Sequence, residues 1–245
     1  MSHKINILEG AFIVSDAHYS HKRPDFLAFL KDIHSKKLRP SQLILMGDIF
    51  DALFGGVFHT QKINLEAIKL LNEISLDIEV VYLEGNHDFN LKNIFPNIKL
   101  FSIYQQPVTC SYADKKILLS HGDIESSFGY RAYTALIRNR VVLYLLSLLD
   151  FILLHYILRR LDLYLGEKDD CKKMAGFEEF ISKRLEDKYS CDYFIEGHFH
   201  QNSSIEFKDF IYINLGVFAC NQRYFIVKSF KERELLQENI FSKGI

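Results

Sequence analysis

The chain has 245 residues, 48% of them apolar and 25% charged, an ordinary globular composition with room for one large α/β core. A net charge of −1 argues against a nucleic-acid partner, which calls for a basic surface. Four cysteines (Cys110, Cys171, Cys191, Cys220) without CxxC spacing read as reduced cytosolic thiols, and Met1 to Gly10 lacks the apolar run of a signal peptide, so a cytoplasmic location is expected.

Taken in chain order, Ala11 to Val14 is an apolar run of strand length. Pro24 then opens an amphipathic helix with Phe26, Phe29, Leu30 and Ile33 on one face. Leu43 to Met46 is the next strand, and Ile63, Ala67, Leu70, Leu71 and Ile74 mark a second helix. Val80 to Leu83 is again a strand, so strand and helix alternate and a sheet with helical cover is expected. After Pro107 the pattern changes to hairpins: Val108 to Ser111 with Lys116 to Leu119, then Ser204 to Phe207 with Phe210 to Asn214. Tyr193 to Ile195 and Tyr224 to Val227 are the remaining strands.

Tyr130 to Leu165 stands apart. It lacks proline, and from Val141 to Leu158 only Ser147, Asp150 and His155 interrupt an apolar surface on every face. Such a helix is either deeply buried or in contact with lipid. Asp150 and His155 argue against a membrane span, since the segments on either side must fold together. Two core helices joined by a tight bend, or a helical cap that receives lipid, are the readings that stay open.

Five polar segments each follow an apolar run: Asp16-Ala17-His18; Gly47-Asp48 with Asp51; Gly85-Asn86-His87-Asp88; His121-Gly122-Asp123; and Gly197-His198-Phe199-His200. Five of the ten histidines fall inside them. Strand ends in an α/β sheet converge on one cleft, so these carboxylates and imidazoles are expected to meet there. Oxygen and imidazole donors without thiolate suit manganese, iron or zinc, and not a structural zinc. His3, His21, His34 and His59 read as surface or loop residues, and His155 as a satisfied buried histidine. The charge run Lys168 to Lys173 reads as a solvated turn, with a phosphate or headgroup contact as its alternative.

The five blocks, in this order, resemble the calcineurin-like metallophosphoesterases. The resemblance implies an α/β fold of the α+β sandwich kind, with four αββα layers. It also implies a single domain over residues 1–245, with a helical cap insertion at about 126–175. Two divalent ions are implied, most simply manganese. Asp16, His18, Asp48 and His200 would hold the first, and Asp48, Asn86, His121 and His198 the second, with Asp48 bridging. His87 would reach the phosphate or leaving group, with Asp51 orienting its imidazole. Asp88 and Asp123 would be turn or supporting carboxylates.

Within that family, Gly129 to Asn139 is similar to the opening of the helical insertion in the UDP-2,3-diacylglucosamine hydrolases, and Leu215 to Phe218 to their segment after the last metal motif. The implied substrate is a lipid-linked UDP-sugar. Hydrolysis at its α-phosphorus gives UMP and 2,3-diacylglucosamine 1-phosphate (lipid X), a step in lipid A synthesis. The implied place is the cytoplasmic face of the inner membrane, as a peripheral protein. Tyr130, Arg138, Asn139, Arg159 and Arg160 would be its polar substrate contacts. One departure stands out: the best-known members of that branch carry Arg where this chain has His87. A general metallophosphodiesterase acting on another nucleotide or lipid phosphoester is the alternative, and a non-catalytic scaffold a further one.

Overall fold

A computed structural model describes residues 5–123, 128–185, 187–232 and 234–242. β1 (Ile5–Asn6) and β2 (Phe12–Val14) lead into α1 (Asp25–His34). β3 (Gln42–Leu45), β4 (Leu53–Phe54), α2 (Phe58–Ile63) and α3 (Leu65–Asp77) precede β5 (Glu79–Leu83). β6 (Asp88–Phe89), β7 (Lys99–Phe101), β8 (Val108–Tyr112) and β9 (Lys115–Ser120) follow. Helices come next: α4 (Phe128–Arg138), α5 (Arg140–Ile152), α6 (Tyr156–Gly166) and α7 (Phe177–Leu185). The chain ends through β10 (Tyr193–Glu196), β11 (Ser203–Glu206), β12 (Ile211–Asn214), α8 (Phe218–Asn221), β13 (Arg223–Val227) and β14 (Leu236–Ile240).

Two six-stranded sheets form the centre, in the orders β1-β8-β9-β10-β12-β11 and β14-β13-β2-β3-β5-β7. Successive strand residues point to opposite faces, and here both faces are covered. Along β3, Leu43 and Leu45 turn outward onto Phe26, Phe29 and Leu30 of α1 and Leu71 of α3. Ile44 and Met46 turn inward with Val81 and Leu83, against Ile117 and Leu119 of β9 and Ile195 of β10. Beyond the second sheet, Phe177, Ile181 and Leu185 of α7 cover Leu118, Phe194 and Tyr212. The result is helix, sheet, sheet, helix, as the resemblance implied. Full burial of a side chain such as Phe26 or Phe29 contributes about 1.5–3 kcal/mol.

β2, β3 and β5 run parallel, in register Phe12↔Leu43 and Leu43↔Val80, and β9, β10 and β12 run parallel in the other sheet. Parallel strands carry their C-terminal ends to one edge, and the five polar segments lie just past the ends of β2, β3, β5, β9 and β10.

The region from Tyr130 to Leu165 is three helices. α4 stops at Arg138, and the Asn139 side chain accepts the N–H groups of Val141 and Val142 to start α5. α5 and α6 meet at 101°, with Leu154 and His155 in the left-handed region at the corner. The tight bend is present but the core reading is not. Val141, Phe151 and Ile152 are 65–67% exposed and Leu154 is 75% exposed. Leu143 and Leu158 alone of this pair join Val57, Phe89, Phe54 and Ile137 in the small cluster that seats the helices on the sandwich. Among the described residues no single helix is long and apolar enough to cross a membrane. The cysteine expectation is also corrected: Cys171 and Cys220 form a disulfide, their Cα atoms 5.8 Å apart. Their sequence separation of 49 carries no spacing signal, so only the fold brings them together. Cys110 and Cys191 are free and buried.

Candidate metal centre

The loops after the strands are zipped together by their backbones. Asp16 N–H donates to the Gly47 carbonyl (3.2 Å) and His18 N–H to the Asp48 carbonyl (3.0 Å). Holding these tight turns puts Asp16 (φ 52°), His18 (44°), Asp48 (51°), His198 (59°) and His200 (62°) in the left-handed region. That conformation costs a non-glycine residue about 1–2 kcal/mol, and it persists where the surroundings over-determine it, typically at functional sites. The glycine of the third segment has a packing reason: a Cβ on Gly85 would lie 2.1 Å from Asp48 Oδ1.

Ligand atoms of Asp16, His18 and His200 lie within 4.8 Å of one another, as do those of Asp48, His121 and His198. Asp16 Oδ1 is 3.1 Å from His200 Nε2. Asp48 Oδ2 is 3.4 Å from His121 Nε2, and Asn86 Oδ1 is 3.3 Å from the same nitrogen. The other Asp48 oxygen accepts the His87 N–H at 2.8 Å. All seven expected ligands therefore converge in two adjoining groups. Among the described residues, both ring nitrogens of His18 are buried without a hydrogen-bond partner, although Asp51 Oδ1 lies 3.3 Å from Nδ1. Buried carboxylates and unpartnered imidazole nitrogens are costly unless a cation joins them, so this donor set fits divalent metal.

The electrostatics follow from burial and mutual proximity. Burial opposes ionisation of Asp16 and Asp48, but the histidines His200 and His121 respectively outweigh it and lower both carboxyls. Burial likewise opposes charge on His121, yet Asp48 beside it raises the imidazole well above its ordinary value. His198 goes the other way, to about 3, because it is buried and faces His121. Asp88 is pushed up to about 7 by burial and by Asp48. It nevertheless accepts the N–H groups of Asp48 (3.1 Å), Ile49 (2.6 Å), Phe50 (3.2 Å) and Gly85 (3.0 Å), and the Tyr82 hydroxyl (2.5 Å). It ties the second segment to the third.

His87 sits beside both groups, its Nε2 3.9 Å from Asp48 Oδ2. Its Nδ1 is held by the Asp51 main-chain carbonyl at 2.9 Å. This corrects one expectation, because the Asp51 carboxylate faces His18 instead. A carbonyl only accepts, so Nδ1 carries a proton and Nε2 is left for chemistry.

The expected substrate contacts divide. Arg138 is buried, donates to the Gly85 carbonyl at 2.8 Å and lies over the Phe89 ring at 4.9 Å, so it fastens α4 to the third segment. Asn139 is spent on the α5 cap. Arg159 lines a cleft of about 400 Å³ between α6 and the sandwich, together with Leu158, Asp162, Tyr19, Ile63 and Asp51. Arg160 is exposed, and the Tyr130 side chain lies outside the described residues. His59, expected on the surface, stacks on His155 with ring centroids 3.9 Å apart, and His155 pairs with Asp150 at 2.8 Å.

Three supporting residues had no sequence signal as such. The Asp170 carbonyl meets His200 Nδ1 at 2.6 Å, from inside what reads as a solvated charge run. Met46, by its carbonyl, meets His121 Nδ1 at 2.9 Å, and Gln106 accepts the His121 N–H at 2.7 Å. Backbone carbonyls on Nδ1 orient ligating imidazoles.

Residues 11–202 match the family model described as calcineurin-like phosphoesterase. This chain belongs to that family. The phosphoesterase is 28% identical over 154 residues to a UDP-2,3-diacylglucosamine hydrolase of Pseudomonas fluorescens, covering 61% of each chain. It is 24% identical over 199 residues to one of Psychromonas ingrahamii, covering 77% of this chain and 79% of the relative. Among solved structures it resembles Yfce, a phosphoesterase from E. coli, with TM-score 0.47, 13% identity, and 89% and 88% of the two chains covered. The phosphoesterase is thus a metal-dependent hydrolase whose buried carboxylates and imidazoles form a dinuclear donor set.

Proposed function

We propose that this phosphoesterase hydrolyses the pyrophosphate of UDP-2,3-diacylglucosamine at the α-phosphorus, giving UMP and 2,3-diacylglucosamine 1-phosphate. One observation carries the reading beyond the family: α5 and α6 form an exposed apolar helix pair, and α6 lines a cleft whose wall includes Asp51 beside the metal centre. Two acyl chains need a non-aqueous surface, at about 0.8 kcal/mol per CH₂ removed from water. The relatives named above are called hydrolases of that substrate. The whole of residues 1–245 acts as one unit, with residues from about 126 to 175 as its cap.

Asp16, His18, Asp48 and His200 would hold one ion and Asp48, Asn86, His121 and His198 the other, with manganese as the first choice. When bound, the ions supply positive charge for the phosphoryl oxygens and lower the pKa of a water. Asp48, 3.4 Å from His121, would be the ligand shared by the two positions. His87 presents Nε2 to the phosphate, and when doubly protonated it can neutralise charge there or give its proton to the leaving group. Arg159 offers a cation in the cleft for the headgroup. The apolar faces of α5 and α6 rest on the cytoplasmic face of the inner membrane, where such a substrate resides.

The test is UMP release by manganese-loaded protein from UDP-2,3-diacylglucosamine in mixed micelles, beside hydrolysis of a nitrophenyl phosphodiester. Turnover of the acylated nucleotide with far higher kcat/KM is expected. Turnover of the small diester alone would replace this reading with the general phosphodiesterase, for which His87 in place of Arg already speaks.

A further inference from the structure

The Cys171–Cys220 disulfide joins two elements that touch the same half of the metal centre. On one side is the loop that precedes α7. The carbonyl of Asp170, next to Cys171, receives the Nδ1 proton of His200 at 2.6 Å, and the Asp170 carboxylate is held by Arg23 at 2.5 Å. The same loop grips the next residue along from His200: Met174 N–H donates to Gln201 Oε1 at 2.8 Å, and Gln201 Nε2 donates to the Lys172 carbonyl at 3.3 Å. On the other side is α8, which contains Cys220. Its Phe218 and Ala219 N–H groups donate to the carbonyls of Ser15 (3.0 Å) and Asp16 (3.1 Å). The bridge therefore spans the loop that orients His200 and the helix seated on Asp16.

The Asp48, His121 and His198 group has other supports. His121 is held by the Met46 carbonyl, just past β3, and by Gln106, just before β8. No element tied by the disulfide makes those contacts.

The bridge is also reachable. Cys171 is exposed and Cys220 half-buried, and both line a cleft of about 210 Å³ that also touches His200, Lys173 and Arg223. A stabilising disulfide is ordinarily shielded, whereas exposed bridges exchange readily with thiols.

We propose that Cys171–Cys220 is a redox modification site that sets the affinity of the Asp16, His18 and His200 metal position. The proposal rests on the dinuclear reading of the centre, not on the identity of the substrate. The reductant is a dithiol. Its thiolate attacks one cysteine sulfur, the S–S bond breaks, and a mixed disulfide forms. The reductant's second thiol then displaces the remaining cysteine, leaving as a cyclic disulfide. Two electrons pass to the protein, and its two sulfurs take up two protons. Reduced, the loop is no longer tethered to α8, and His200 loses the partner that presets its tautomer and direction. Loss of such a partner weakens metal binding by about 10- to 100-fold.

The experiment uses the full chain loaded with manganese. One portion is kept oxidised; the other is reduced with a phosphine, desalted anaerobically, and both are dialysed against a weak chelator. Bound manganese is measured by mass spectrometry of the metal, thiols by alkylation under denaturing conditions, and fold by circular dichroism. The oxidised protein should show two free thiols, Cys110 and Cys191, and keep both ions. The reduced protein should show four and hold one ion about 10- to 100-fold more weakly, with its dichroism unchanged. Cys171→Ser should behave as the reduced protein in either condition; should that variant fail to fold, the reduced wild type alone decides. Equal manganese affinity in the two states overturns the proposal, and leaves the bridge a purely structural one that reduction would only make less heat-stable. Four thiols in the air-equilibrated protein overturn it too. Failure of the oxidised protein to hold manganese at all would sink the dinuclear reading first, and the proposal with it.

Discussion

His87 Nδ1 is held by the main-chain carbonyl of Asp51 at 2.9 Å, while the carboxylate of the same residue lies 3.3 Å from His18. One residue thus serves two partners with different groups. Its backbone directs the imidazole proposed to meet the phosphate, and its side chain faces an imidazole of the candidate metal centre. The two substitutions should separate. His87→Gln should keep both metals and lower kcat by about 10² or more. Asp51→Asn keeps the carbonyl, so it should weaken metal at the His18 position instead. Metal analysis beside kcat checks both, and metal loss in His87→Gln would contradict the assignment.

As the proposed shared ligand, Asp48 lies 3.4 Å from His121 and 3.9 Å from His87. Asp48→Ala should therefore lose both ions and turnover together. Chelation of the wild type should abolish activity and manganese should restore it. Full turnover in a metal-free preparation would rule out the centre as the catalyst.

Asp88 accepts four backbone N–H groups and the Tyr82 hydroxyl. Asp88→Ala leaves those buried donors unanswered, at a cost of about 3 kcal/mol or more. The urea midpoint should fall accordingly, and manganese should bind more weakly, because Asp48 N–H and Gly85 N–H are among the orphans. A shift below about 1 kcal/mol would mean that water replaces the carboxylate.

Leu145 and Leu149 project from α5, 57% and 46% exposed. Leu145→Asp or Leu149→Asp should leave the fold intact, since little is unpacked. Vesicle binding and kcat/KM for the diacylated nucleotide should drop by about tenfold or more, as the area term predicts for a lost leucine contact. The nitrophenyl diester should hardly notice. An equal fall for both substrates would place α5 in the structural core after all.

Asp150 holds the α5–α6 corner: Oδ2 lies 2.8 Å from His155 Nδ1 and Oδ1 accepts the Leu158 N–H at 2.9 Å. Burial pushes this carboxyl up, but those two donors outweigh it and set it below its ordinary value. Its contribution is complete above an unfolded pKa of about 3.9 and is lost as pH falls through the lower folded value. Amide exchange at Leu158, corrected for intrinsic rate, should therefore quicken relative to β3 on going from about pH 6 to about pH 3. Unchanged relative protection would show that the corner does not depend on the ionised carboxylate.

Much of the sandwich was legible in the sequence. Leu43 to Met46 and Val80 to Leu83 are apolar at every position because both faces of those strands are covered, and such runs need no partner to be recognised. The convergence of the carboxylates and imidazoles was legible as well, since such residues just after strands have few other uses. Asn139 was misread because an Asn before a helix serves equally as a cap or a contact, and only the break between α4 and α5 decides which. Likewise the apolar run from Val141 to Leu158 does not say whether it is covered. Periodicity reports which faces are apolar, whereas exposure depends on what else the chain packs there.

Residue types and their order determined the family, the layers and the donor set of this protein. The tertiary structure alone decided what pairs distant residues across 30 or more positions: the Asp170 carbonyl on His200, the Asp51 carbonyl on His87, and Cys171 with Cys220. The physical reason is common to all three. Backbone carbonyls are identical at every residue, and a cysteine carries no mark of its partner. Such contacts are specified by where the folded chain brings them, and no local pattern encodes that.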